Sequence, residues 1–209
     1  MMDLFDSKNI KPMLIGKEMA PFDDPKYMYE LKWDGERCVA YLEPGKLPEL
    51  RNKRNVRMLN KVPELEEISR QVKKRCILDG ELFILKDGRP DFSLIQRRSL
   101  MSDRFKIELD AKRNPATFLA FDILYCDYKD TLLQPLTERK DLLSKVVSDG
   151  PRMAISRYTE GCGTNLFDFA LKRKLEGIVA KKKDSIYIQN KSTSDWIKMK
   201  VMQDDDFVI

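Results

Sequence analysis

Apolar residues in this chain follow two different periods in an irregular order, and that irregularity restricts the fold more than any other feature. Seven runs rich in β-branched and aromatic residues predict strands at about 27–33, 37–42, 76–85, 116–125, 153–157, 177–181 and 195–200. Five segments with helical spacing predict helices at about 64–74, 92–100, 104–112, 137–147 and 165–175. Strands and helices do not alternate strictly, so the expected class is α+β, with largely antiparallel sheets packed together and flanked by helices. Two Asp-Gly pairs add detail. Asp34-Gly35, flanked by strand runs, reads as a hairpin turn. Asp79-Gly80 lies inside a strand run, where glycine marks close approach by a ligand or another backbone.

The 209 residues contain no histidine, which excludes Ser-His-Asp and Cys-His machinery and every His-ligated metal site. What remains suits phosphoryl or nucleotidyl transfer, where positioning and charge neutralisation outweigh proton shuttling. The four cysteines (Cys38, Cys76, Cys126, Cys162) form no CxxC pair and fit reduced thiols in a cytoplasm. No apolar run is long enough to span a bilayer, so no membrane partner is expected. Net charge is +5, gathered at Arg51-Lys53-Arg54-Arg57, Lys73-Lys74-Arg75, Arg97-Arg98, Lys172-Arg173-Lys174 and Lys181-Lys182-Lys183. Any one cluster reads equally as a solvated helix face; together they point to a polyanion partner.

The densest chemistry lies in Glu30-Leu31-Lys32-Trp33-Asp34-Gly35-Glu36-Arg37. A lysine ending an apolar strand against a turn can be partly desolvated, which frees its amine as a nucleophile. Asp34, two residues on, shares its face in extended chain and can orient a partner or balance charge. Gly35 would let a phosphate approach the backbone. The same residues also fit an ordinary hairpin with a surface lysine, since KxDG alone is common.

Four further segments follow in order: Leu78-Asp79-Gly80-Glu81-Leu82, Phe121-Asp122-Ile123-Leu124-Tyr125, Glu176-Gly177-Ile178-Val179-Ala180-Lys181 and Trp196-Ile197-Lys198-Met199-Lys200. With KxDGxR, this series resembles the covalent nucleotidyltransferases: ATP-dependent DNA ligases, RNA ligases and mRNA capping enzymes. Pro12-Met13-Leu14, Pro135-Leu136 and Glu138-Arg139 are similar to bacterial DNA ligases of repair and end joining. The resemblance implies an ATP-grasp-like nucleotidyltransferase core, ATP as substrate, Mg²⁺ or Mn²⁺ as cofactor, and nicked double-stranded DNA as partner. Lys32 would carry AMP, with Asp34, Lys198 and Lys200 as catalytic companions. Nucleotide contacts would come from Glu30 on the adenine amine, Phe121 stacking on the ring, Arg37 and Glu81 near the ribose, and Lys198 and Lys200 on the α-phosphate. The metal would lie near Glu176 and Glu81. Core packing is the competing reading of Phe121, and a surface ion pair that of the glutamates.

Two departures stand out. Where the family has a Ser-Arg-x-Gly-like segment that meets the nick 5′-phosphate, this chain has Asn52-Lys53-Arg54-Asn55. Counting back from Pro63 selects Lys53; bidentate phosphate chemistry selects Arg54, which is favoured here, with Arg37 as a second DNA contact. The family also continues into an OB-fold domain, which is missing here. Residues 1–203 therefore read as the adenylation domain, and 204–209 as a hinge and the first residues of that OB fold. The expectation is a cytoplasmic monomeric DNA ligase core, slow without its OB domain and possessing repair domains as neighbours in any longer parent. An RNA ligase, a capping-type enzyme or a silent nucleic-acid-binding fragment are the alternatives.

Overall fold

Alternation along the long strands sends successive side chains to opposite faces, and here both faces are buried. In the computed structural model, which describes residues 3–201, the chain opens with α1 (Leu4–Ser7), β1 (Leu14–Glu18), β2 (Tyr27–Lys32), β3 (Glu36–Leu42) and β4 (Glu49–Asn52). It continues through β5 (Cys76–Lys86), β6 (Arg89–Pro90), α2 (Phe92–Leu100), α3 (Arg104–Arg113), β7 (Ala116–Cys126) and β8 (Lys129–Asp130). The remainder is α4 (Leu136–Val146), β9 (Met153–Ile155), β10 (Tyr158–Glu160), α5 (Gly163–Lys172), β11 (Gly177–Lys182) and β12 (Ser192–Lys200).

The described residues form two sheets. The first has the order β1-β12-β11-β2-β10, antiparallel except for the parallel β1–β12 edge. The second runs β4-β3-β5-β7-β8, with β6 beside β5 and β9 parallel to β7. In β3, Cys38, Ala40 and Leu42 enter one core with Leu78, Phe118 and Leu143, while Val39 and Tyr41 face a second core with Phe121, Tyr125 and Trp196. A third core under α5 takes Tyr29, Ile178, Ala180, Ile197 and Met199 from the first sheet. The opposite faces of those same first-sheet strands are thereby turned toward the second sheet. No helix among the described residues is long and apolar enough to cross a membrane.

The α+β class and the long strands are as expected, but three local expectations are corrected. Asp34-Gly35 is a turn without a hairpin: β2 pairs with β10 and β11, whereas β3 pairs with β4 and β5. The turn passes the chain between sheets. Gly35 serves this crossing rather than a phosphate, because a Cβ there would lie 2.2 Å from the Leu82 carbonyl oxygen. At Gly80 the close neighbour is likewise protein, since a Cβ on that residue would lie 2.4 Å from the Leu119 carbonyl oxygen. The helix expected over 64–74 is two 3-10 turns, Pro63–Leu65 and Ile68–Gln71. Leu65, Ile68 and Val72 are all buried, but Val72 bridges Val147 and the Lys73 amide donates to the Val146 carbonyl, which pulls the segment out of helix. The hinge and OB residues expected at 204–209 lie outside the described residues.

Candidate active site

The faces that the first sheet turns away from α5 carry the chemistry. Glu30 and Lys32 come from β2, Val179 and Lys181 from β11, and Trp196, Lys198 and Lys200 from β12. Register sets their order: Val179 lies between Glu30 and Lys198, and Gly177 between Lys32 and Lys200. The second sheet contributes Arg37 from β3, Asp79 and Glu81 from β5, and Phe121 from β7. Glu30, Lys32, Arg37, Glu81, Phe121, Lys181 and Trp196 line one pocket. Lys32 and Arg37 are shared with an adjoining open groove that Lys53, Glu176, Lys198 and Lys200 also line.

At the junction of pocket and groove, Lys32 Nζ lies 2.5 Å from Glu176 Oε2, with the two side chains 21% and 24% exposed. The expected bare amine is thus held by a carboxylate. Burial, and then the Glu176 charge, raise the Asp34 carboxyl above its ordinary range. Burial likewise pushes Glu81 up to about 8. Lys198 pairs with Glu18 at 3.0 Å, and Lys200 is exposed.

Arg37 is clamped. Its Nε and Nη2 donate to the two oxygens of buried Asp79 at 2.6 Å each, and Tyr187 donates to Asp79 Oδ2 at 2.5 Å. The guanidinium then sits 4.4 Å from the centre of the Phe121 ring. Lys181 Nζ stands 4.2 Å from the same ring, and Trp196 meets it edge-on. Phe121 therefore belongs to the inter-sheet core and also lines the pocket. Glu30 is buried, with Lys140 at 2.6 Å and Lys181 at 3.0 Å from Oε1, while Ser156 donates to Oε2 at 2.6 Å. Burial opposes its charge, but the two ammonium groups prevail and hold the carboxyl below its usual range. Burial pushes Lys181 down to about 8.

A family model described as "ATP dependent DNA ligase domain" matches residues 10–200. The chain belongs to that family. It is 32% identical to the SPbeta prophage-derived DNA ligase-like protein LigB of Bacillus subtilis, over 91% of this chain and 67% of that one. Identity is 28% to the multifunctional non-homologous end joining protein LigD of Mycolicibacterium smegmatis, over 98% of this chain but 26% of LigD. The solved mycobacterial DNA ligase D complexed with ATP and MES superposes with a TM-score of 0.76 at 26% identity, covering 92% of this chain and 60% of that one.

Within this ligase domain, the motif residues line the pocket and the groove, except Asp34, which lines a third pocket with Lys32 and Glu176, and Arg54 in the basic turn. Lys53 lines the groove; Arg54 does not, and its amide is spent on the Asn52 side chain. Three residues around the pocket went unassigned in the sequence. Trp196 and Lys181 sat inside motifs without a role, and Ser156 carried no signal at all. The basic clusters also divide. Arg51 and Arg57 pair with Glu49, Arg97 and Arg98 with Asp110, Lys182 with Asp184, and Lys183 with Glu160. Lys53, Arg54 and Lys172-Arg173-Lys174 are exposed, with no ion pair among the described residues.

Glu81 gives the ligase domain a pH signature. Its folded carboxyl keeps a proton between about pH 5 and 8 that the unfolded chain has released, so this contribution to stability falls steadily over that range and is gone above about pH 8. Glu81→Gln removes the titration. The stability of the variant relative to the parent should therefore grow from pH 5 to pH 8, by roughly 2 to 4 kcal/mol. Urea unfolding at both pH values measures it, and a pH-independent difference would refute the assignment.

Proposed function

We propose that this domain forms a covalent lysyl-AMP intermediate and passes AMP to the 5′-phosphate of nicked DNA. The observation that carries the reading is the meeting at Lys32 of an aromatic pocket and a more open, basic groove. The pocket suits a purine, with Phe121 and Trp196 as apolar walls and Glu30 as an acceptor. The groove suits phosphates, through Lys198, Lys200 and Lys53.

In the first step the Lys32 amine attacks the α-phosphorus. A P–N bond forms, the bond to pyrophosphate breaks, and the amine releases a proton. Lys198 and Lys200 neutralise the phosphate, and Arg37, held rigid by Asp79, fixes the far side of the nucleotide. A DNA 5′-phosphate oxygen then takes the adenylyl group from Lys32, and a 3′-hydroxyl displaces AMP to close the strand.

The carboxylates fit a Mg²⁺ or Mn²⁺ ion carried with the nucleotide better than an all-protein cage. Glu176, and Glu81 once it gives up its proton, present hard oxygens, and no group of three potential ligands occurs among the described residues. Such an ion would offset charge on the phosphates. Glu176 and Glu81 would hold it, and engaging Glu176 would loosen its grip on the Lys32 amine.

The deciding experiment is incubation of the purified chain with ATP and Mg²⁺, followed by intact mass measurement and peptide mapping. A gain of one AMP on the peptide containing Lys32 is expected, and its absence would reject the reading. On nicked duplex carrying a preformed 5′-adenylate, Lys53→Ala should slow sealing more than Arg54→Ala, because only Lys53 lines the groove. The reverse order would restore Arg54 to that role.

A further inference from the structure

The charges buried beside the pocket exceed what holding the fold together requires. Lys140 follows Arg139 on α4, and both cations are turned inward, an arrangement that is costly unless each is paired. Arg139 is consumed by Asp122. Lys140 instead reaches across to β2 and Glu30, with the two side chains 2% and 3% exposed. Lys140 does not line the pocket, so it approaches Glu30 from behind, whereas Lys181 and Ser156 approach from within it.

The carboxylate is thus held by three groups, from α4, from β11 and from the link between β9 and β10. Yet Glu30 Oε1 has no aligned hydrogen-bond donor, and neither does Lys140 Nζ have an aligned acceptor. Lys140 at 2.6 Å and Lys181 at 3.0 Å therefore hold Oε1 through charge, and the carboxylate keeps one orientation at the pocket that Glu30 lines.

We propose that Lys140 is a positioning residue for purine selection: together with Ser156 it fixes the Glu30 carboxylate so that this group accepts from the 6-amino group of adenine and repels the 6-oxo group of guanine. This rests on the nucleotide-transfer reading above. Without Lys140, Glu30 would keep Lys181 as its one cation beside the Ser156 hydroxyl, and the carboxylate would turn toward that ammonium and away from the base. Lys140 touches no part of the nucleotide in this arrangement, so its loss should change which base is accepted rather than the chemistry at Lys32.

The test compares kcat/KM for self-modification of the full chain with ATP, GTP and the triphosphate of purine riboside, which lacks the 6-amino group. The parent should prefer ATP over both. Lys140→Met should lower that preference about tenfold or more, mostly through KM for ATP, because a site built around one amino group rejects analogues only while its acceptor is fixed. Lys140→Arg should keep most of the preference, and Ser156→Ala should lose a smaller part. A folded Lys140→Met chain with unchanged ratios, or with equal losses on all three nucleotides, would overturn the proposal. Should Lys140→Met fail to fold, Ser156→Ala decides by the same ratios. A parent chain that forms no adduct would overturn the function reading together with this one. Adduct formation with unchanged ratios would overturn this one alone.

Discussion

Lys32→Ala is expected to abolish AMP attachment, with a loss of at least about 10³-fold, while the domain remains folded. No other amine can substitute. Lys181 is buried against Glu30, and Lys198 and Lys200 leave from β12, two places removed from β2. The fold should tolerate the change because Lys32 and Glu176 both line the open groove, where water can solvate the carboxylate left behind. Lys32→Arg should be equally inactive, since a guanidinium stays protonated and cannot attack phosphorus. Mass measurement after incubation with ATP, alongside a thermal melt, separates loss of chemistry from loss of fold. An adduct on the alanine variant at the parental level would remove Lys32 from its place in the mechanism.

The second large effect is on stability. Arg139 and Asp122 are fully buried and doubly bonded, at 2.8 Å and 2.9 Å, and Arg139 Nη1 also donates to the carbonyls of Gln134 and Ser185. The arginine thereby ties α4, β7 and the loop before β12 into one unit. Arg139→Met should cost about 3 to 5 kcal/mol, because it strands a carboxylate and two carbonyls out of reach of water. For a domain of this size that lowers Tm by roughly 10 °C or more. Adding Asp122→Leu to Arg139→Met should recover part of the loss, since replacing both partners removes the stranded charge. Urea unfolding of the two single variants and the double variant measures the coupling. A cost below 1 kcal/mol for Arg139→Met would show the pair to be dispensable.

Legibility in the sequence varied with how far a residue's environment depends on its neighbours along the chain. The long strands β5 and β7 were readable because their runs are apolar on both faces, as burial between layers demands. The short strands β1, β4, β8 and β10 were not, because partners rather than their own residues make them strands. Asp34-Gly35 announced a turn correctly but could not say which sheet came next. Lys32, Glu81, Phe121 and Glu176 could be named because each sits inside a motif with fixed spacing. Lys140 and Ser156 act on Glu30 from 110 and 126 residues away, so nothing local marks them. The run Lys181-Lys182-Lys183 shows the same limit. Alternation buries Lys181 beside the pocket and turns Lys182 out to Asp184, while Lys183 lies past the end of β11 and pairs with Glu160.

The crossing at Gly35 also bears on which length changes this lineage could survive. Loops between most of the strands can gain or lose a residue at small cost, since their ends are free to adjust. Residues 33–35 cannot. A single insertion there would either rotate β3 by half a period, sending Arg37 into the outer core and Cys38 into the pocket, or slide it against β5 and part Arg37 from Glu81. A Cβ in place of the Gly35 hydrogen already meets the Leu82 carbonyl oxygen, so no slack exists to absorb the extra residue. Deletions and insertions should therefore be absent from this link in any functional descendant, however freely they accumulate around the tips of β5–β6 or β7–β8.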